Sequence, residues 1–148
     1  MTSHAFDQAI ALKLQSDGSF AGHTSAAYAN MVGPFGGISA AQMMNAVLLH
    51  PDRLGEPVSL TINFAAALAH GPFTVQARAA RTNRSTQHWI IEVLQSGEAV
   101  LTGTAFTALR RETWSLDEEA MPQCPPPKET PHGQGPMPME WVKRYDMR

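Results

Sequence analysis

Between Ile38 and Leu49 only three side chains are polar, Ser39, Gln42 and Asn45, and they recur every third residue. The stretch is rich in Ala, Leu and Met, strong helix formers, and Pro51 stops it. On a helix the three polar residues make one stripe roughly 120° wide, leaving the remaining circumference apolar. Such a helix must be buried on most of its sides, so the rest of the chain has to wrap it. Gly36-Gly37 stand where it begins, and His50 stands at its C-terminal dipole.

The wrapping material is β-structure. Val58, Leu60, Ile62, Phe64, Ala66 and Leu68 alternate with Ser59, Thr61, Asn63, Ala65 and Ala67, a clean period of two. His70-Gly71-Pro72 turns the chain, and Phe73, Val75, Ala77 and Ala79 then alternate with Thr74, Gln76, Arg78 and Ala80. Asn83-Arg84-Ser85 marks the next turn, residues 87–95 form a third strand with Trp89, Ile91 and Val93 on one face, and Ser96-Gly97-Glu98 leads into a fourth over 99–109. Read in order, the four make a meander of hairpins. Upstream, 9–15 reads as a short strand, Asp17-Gly18 as a hairpin turn and 19–25 as the returning strand. One apolar helix against one curved antiparallel sheet is an α+β arrangement, and a sheet wrapped around a central helix is the hotdog fold. A single unit of that kind leaves a sheet edge and an apolar helix flank open, which predicts a homodimer or pairing with a second repeat.

The 148 residues, 43% apolar with a net charge of -2, suffice for one domain and exclude disorder throughout. No apolar run reaches the ~18–20 residues of a membrane span, and residues 1–7 lack the basic and apolar regions of a secretory signal. Cys124 is the one cysteine, which excludes an intramolecular disulfide framework and a multi-thiolate metal site and makes the cytoplasm the expected compartment. A pI near 6.3 offers no global field for nucleic acid or an anionic membrane. Composition changes near Thr113: residues 121–148 hold seven of the eleven prolines, and Pro125-Pro126-Pro127 calls for extended polyproline-like chain. The chain therefore divides into a domain at 1–115 and a proline-rich tail or linker at 116–148, anchored by Trp114 and Trp141.

None of GxSxG, Walker A, GxGxxG, HExxH or CxxC occurs, and the six histidines are scattered without metal-ligand spacing. The informative stretch is Val32-Gly33-Pro34-Phe35-Gly36-Gly37-Ile38. Two glycines at a helix start let a substrate approach exposed backbone N–H groups, where the dipole favours negative charge. A thioester carbonyl developing oxyanion character would be stabilised there. The same glycines also suit a tight turn and close packing of the helix. His50 and His88 read first as a helix-end and a sheet-face residue, and Asn63 either orients a water or sits on a solvated face. Arg78, Arg81, Arg84, Arg110 and Arg111 suit either the phosphates of a nucleotide-bearing ligand or a solvated outer face.

Gly-Pro-Phe-Gly-Gly-Ile-Ser-Ala-Ala (33–41), Pro-Val-Ser-Leu-Thr-Ile-Asn-Phe (57–64), Arg-Thr-Asn-Arg-Ser-Thr-Gln (81–87) and Gly-Glu-Ala-Val-Leu-Thr-Gly-Thr-Ala-Phe (97–106) resemble, in order and spacing, the acyl-CoA thioesterase II-like family, and within it the N-terminal hotdog repeat. The resemblance implies a double-hotdog architecture, hydrolysis of fatty acyl-CoA without a metal or redox cofactor, and a catalytic Asp, Thr and Gln in the second repeat. Here no Asp occurs from Leu54 to Ser115, so that trio is not carried over. The proline-rich 121–138 stretch resembles the inter-repeat linker, and residues 141–148 the approach to a second repeat. The chain is thus expected to be the N-terminal half of a longer protein or a single-repeat member. On the thioesterase reading, Phe35, Gly36, Gly37, Ile38 and Arg84 hold an acyl-CoA, while Asn63, Ser59 and Thr82 place the water. The alternative is a non-catalytic hotdog module for acyl-CoA binding or dimerisation. A hotdog dehydratase fits less well, lacking a His-bearing catalytic strand followed by an acid on the helix.

Overall fold

The apolar stretch folds as its composition requires, into α2 (Gly36–Leu48), in a computed structural model that describes residues 4–133 and 138–148. Residues 1–3 of the opening and 134–137 of the proline-rich stretch lie outside the described residues. Met43, Ala46 and Val47 of α2 are fully buried. The polar stripe does not face solvent: Ser39 and Gln42 are buried and Asn45 is half-buried. Gln42 and Asn45 spend their amides inward, Nε2 of Gln42 donating to the Ala9 carbonyl and Nδ2 of Asn45 to the Ile10 carbonyl, each at 2.8 Å. The less covered flank is instead apolar, with Ala41 and Met44 half-buried and Leu48 and Leu49 exposed.

Those two carbonyls explain why 9–15 is not one strand. Residues Ala5–Ala9 form a short helix, α1, started by the His4 ring accepting from the Phe6 N–H at 3.1 Å. The chain then crosses α2 with its carbonyls taken by Gln42 and Asn45. Only β1 (Lys13–Leu14) pairs with β2 (Phe20–His23), in the hairpin that Asp17-Gly18 turns.

The other strands are β3 (Glu56–Phe64), β4 (Pro72–Thr82), β5 (Thr86–Gln95) and β6 (Glu98–Ala108). All pairings are antiparallel, in the order β1-β2-β4-β5-β6-β3. The expected four-strand meander is therefore corrected. β4, β5 and β6 do follow one another, but β3 lies at the far edge beside β6. The reason is the 65–71 connection, which walks across the end of the sheet. The Ala65 and Ala66 N–H groups both donate to Val100 O of β6, at 3.1 and 3.0 Å. Gln95 of β5 then clasps Ala69, accepting from its N–H at 2.8 Å and donating to its carbonyl at 3.0 Å. Leu68 drops into the core between these ties, which continues the apolar alternation after the strand itself has ended at Phe64.

Phe20, Val75, Trp89, Ile91, Val93 and Leu101 of the sheet bury against α2. Gly103 gives the closest approach: a Cβ there would stand 3.0 Å from Met43 Cε and 2.7 Å from Thr61 O. On β3, Leu60 and Ile62 pack on this core, while a register shift between Pro57 and Ser59 leaves Val58 turned out to solvent. Of the two aromatic anchors expected for the tail only Trp141 engages the domain. Trp114 is 83% exposed.

Candidate functional site

The N terminus of α2 is open at its first amides. The Ile38 N–H donates to Phe35 O at 3.0 Å, but the Gly36 and Gly37 N–H groups have no acceptor among the described residues. No side chain caps the helix. Two free donors at the positive end of a 13-residue helix suit a carbonyl oxygen on which negative charge grows.

Aromatic rings flank these amides. A Cβ on Gly36 would meet Phe64 Cζ at 3.2 Å, and one on Gly37 would meet Phe35 Cε1 at 2.4 Å. Each glycine thus leaves room for a ring to lie against the helix start. Beside Phe64 opens a mainly apolar cavity of about 380 Å³, lined by Val32, Pro34, Ser39, Phe64, Leu68 and Leu101 among others. Buried Ser39, one turn into the helix, is a polar residue of that wall. A second groove, of about 290 Å³, lies at the other end of α2 and is polar, with Asp17, His50, Arg78 and Glu92 on its walls.

Among the expected site residues, Phe35, Gly36, Gly37 and Ile38 come together at the helix start. Ser59 and Asn63 do not reach it within this chain. They alternate with the core-packed Leu60 and Ile62 and are exposed on the opposite sheet face, where Asn63 Nδ2 contacts Thr102 Oγ1 at 3.4 Å. Thr82 and Arg84 lie at the far end of α2. Thr82 Oγ1 accepts from Gln87 Nε2 at 2.8 Å, and the same buried glutamine ties down Asp52 O and Leu54 N after the helix. Arg84 is exposed in the β4–β5 turn. His50, after the helix end, packs edge-on against Trp89 at 4.9 Å, and His88, on the sheet, lies tilted against Phe106 at 4.8 Å. The sequence does not mark Phe64 or Tyr145 as site residues: Phe64 reads as one more core residue of an alternating strand, and although Trp141 is an expected anchor, nothing local says where it docks.

No carboxylate stands in the chain between Gly18 and Pro51 or between Pro57 and Ile91, the stretches that carry α2 and all of β3 after its first two residues. Among the described residues no group of three or more His, Cys, Asp or Glu is arranged to hold a metal ion, and no helix is long and apolar enough to cross a membrane.

A family profile described as acyl-CoA thioesterase N-terminal domain matches residues 25–108. No curated protein matches the chain. Among solved structures, a conserved protein with a hot dog fold from Alicyclobacillus acidocaldarius is 48% identical, with a TM-score of 0.91 over 96% of this chain and 53% of its own. An acyl-CoA thioesterase II, TesB2, from Mycobacterium marinum shares the fold at 21% identity and a TM-score of 0.71, over 86% of this chain and 47% of its own. The phenylacetic acid degradation protein PaaI from Thermus thermophilus shares it at 21% identity and 0.62, over 72% of this chain and 100% of its own. The chain spans about half the length of the first two.

Proposed function

Since this chain belongs to the acyl-CoA thioesterase N-terminal domain family, we propose that it binds a fatty acyl-CoA at the α2 N terminus and serves hydrolysis of the thioester. The observation that carries this reading is the pair of acceptor-free N–H groups at Gly36 and Gly37, with Gly36 against the Phe64 ring that lines the apolar cavity. The acyl chain enters the cavity and the thioester carbonyl oxygen accepts from the two amides. Water then adds to the carbonyl carbon, the C–S bond breaks, and the free acid and the CoA thiol leave.

A second unit completes the site. With no carboxylate on α2 or in the body of β3, the group that takes the proton from water comes from a second copy or a second repeat. Two features support such pairing: the unpaired outer edge of β3, and the apolar flank of α2 at Ala41, Met44 and Leu48. Ser59, Asn63 and Thr82 would act on water only across that pairing, and Arg84 would meet CoA phosphates only there. The division at 1–115 and 116–148 follows the same logic, the second segment leading toward the partner unit. The exposed free thiol of Cys124 is in keeping with a reducing compartment such as the cytoplasm.

The test is turnover of acyl-CoA substrates of graded chain length, read by release of free thiol. Thiol release well above background supports the reading. A folded chain that binds a thioether acyl-CoA analogue but releases no thiol favours the second reading, a non-catalytic acyl-CoA-binding half, which the missing carboxylate favours. Neither binding nor turnover would overturn both.

A further inference from the structure

The ring of Phe35, against which Gly37 lies, is itself gripped from outside. It stacks on Trp141 with centroids 4.2 Å apart and planes 8° from parallel, and Tyr145 meets both rings edge-on, at 6.2 and 5.8 Å. Trp141 and Tyr145 belong to a segment well beyond residues 25–108, the span of the family profile. That segment is tied down independently. The Trp141 N–H donates to Ala29 O and Arg144 Nε to Ala27 O, each at 3.3 Å, and the indole packs on a small core of Ala9, Tyr28 and Ile38. The indole Nε1–H, however, is buried with no acceptor among the described residues. A lone buried donor opposes docking, so stacking and apolar contact are what hold the segment.

We propose that Trp141 is a positioning residue of the α2 N-terminal site. It fixes the Phe35 ring as a wall beside the free Gly36 and Gly37 amides, with Phe64 on the Gly36 side, and so sets the width of the way into the acyl cavity. The ligand in this inference rests on the acyl-CoA reading above; the grip on Phe35 does not. Phenylalanine at 141 keeps the stack and removes the orphan donor, which makes W141F the conservative control.

The experiment compares the full chain with its W141A and W141F variants, by amide hydrogen exchange and by binding of long- and short-chain thioether acyl-CoA analogues. In W141A, the bonded amides of Phe35, Ile38 and Ser39, which donate to Tyr28 O and to Phe35 O, are expected to exchange about tenfold faster or more, with β4 to β6 unchanged, and W141F to match the parent. Long-chain analogue binding should weaken about fivefold or more in W141A, with less than about a twofold change for the short chain. Parent-like exchange at Phe35, Ile38 and Ser39 in W141A, faster exchange spread over the whole sheet, or equal weakening for both chain lengths would each overturn the proposal. A parent chain that binds neither analogue overturns the acyl-CoA reading instead, and the exchange result then decides whether Trp141 holds Phe35.

Discussion

Gln42 Nε2 donates to the Ala9 carbonyl at 2.8 Å from a side chain that is 2% exposed in the middle of α2, and it also reaches the His23 carbonyl at 3.4 Å. One amide thus fastens the chain on both sides of the β1–β2 hairpin to the central helix. Gln42→Leu roughly keeps the volume and removes the donor, leaving two carbonyls without it. The expected cost is about 2–3 kcal/mol, measured by chemical denaturation. A variant as stable as the parent would mean that these carbonyls find water.

Gly103 presents the opposite problem, a place where atoms cannot be added. A methyl there would press on Thr61 O at 2.7 Å, a backbone atom of the neighbouring strand that cannot rotate away. Gly103→Ala is expected to cost about 1–3 kcal/mol. Because the closest atom is backbone, adding Met43→Leu should recover little of the loss. Full recovery in the double variant would place the strain on the Met43 methyl.

The helix α2, the strands β3 to β6 and the turns were legible in the sequence because each is set by local pattern: Ala/Leu/Met content, period-two alternation, and Asp17-Gly18 or Ser96-Gly97 at the reversals; the strand expected over 9–15 was not borne out beyond Lys13–Leu14. The place of β3 was not. Its neighbour is fixed by Gln95 and Val100 holding the 65–71 connection across the sheet end, and no residue within β3 records that. The polar stripe of α2 was found but its direction was not, since Gln42 and Asn45 look the same whether they meet water or carbonyls remote in sequence. At the site, the glycines announced the helix start. The rings beside them are Phe35 and Phe64, and only the folded chain brings Phe64 to Gly36 and Trp141 behind Phe35.

Thr82 and Gln87 separate a structural hydroxyl from a catalytic one. Gln87 is buried and makes three bonds, to Leu54 N, Asp52 O and Thr82 Oγ1, so Gln87→Leu should cost about 2–3 kcal/mol. Thr82→Val loses one of these and should cost about 1 kcal/mol, with thioester turnover unchanged unless the hydroxyl acts across the paired unit. Loss of turnover in a stable Thr82→Val chain would instead give this hydroxyl a part in the chemistry across a paired unit.

The Asp17 carboxylate accepts from Ser19 Oγ at 2.7 Å and from the Ser19 N–H at 3.0 Å, and these bonds hold its pKa below the ordinary aspartate value. A carboxyl with a lowered folded-state pKa stabilises above its unfolded value, about 3.9, and the contribution fades as pH falls through the lowered one. The β1–β2 hairpin should therefore loosen on acidification from about pH 4 downward. Asp17→Asn, which does not titrate, should flatten that part of the stability profile. Identical acid profiles for parent and variant would count against a role for the charge.

Gly36 and Gly37 are neighbours with opposite predictions. Alanine in place of glycine at a helical position gains about 0.5–1 kcal/mol of propensity. At Gly36 the new methyl meets Phe64 Cζ at 3.2 Å, and Phe64 is 60% exposed, so its ring has room to yield. Gly36→Ala should be neutral to slightly stabilising and leave acyl-CoA analogue binding within about twofold. At Gly37 the methyl falls 2.4 Å from Phe35 Cε1 and 2.8 Å from Cζ, so the ring must swing and the Trp141 stack must open. Losing a stacked pair forfeits about 0.5–1.5 kcal/mol, which cancels the propensity gain. Both variants keep the N–H groups, so a binding loss confined to Gly37→Ala belongs to the displaced Phe35 wall and not to the amides. Equal binding in the two variants, with Trp141 fluorescence unchanged in Gly37→Ala, would mean that the ring relaxes without consequence and that the free amides alone make the site.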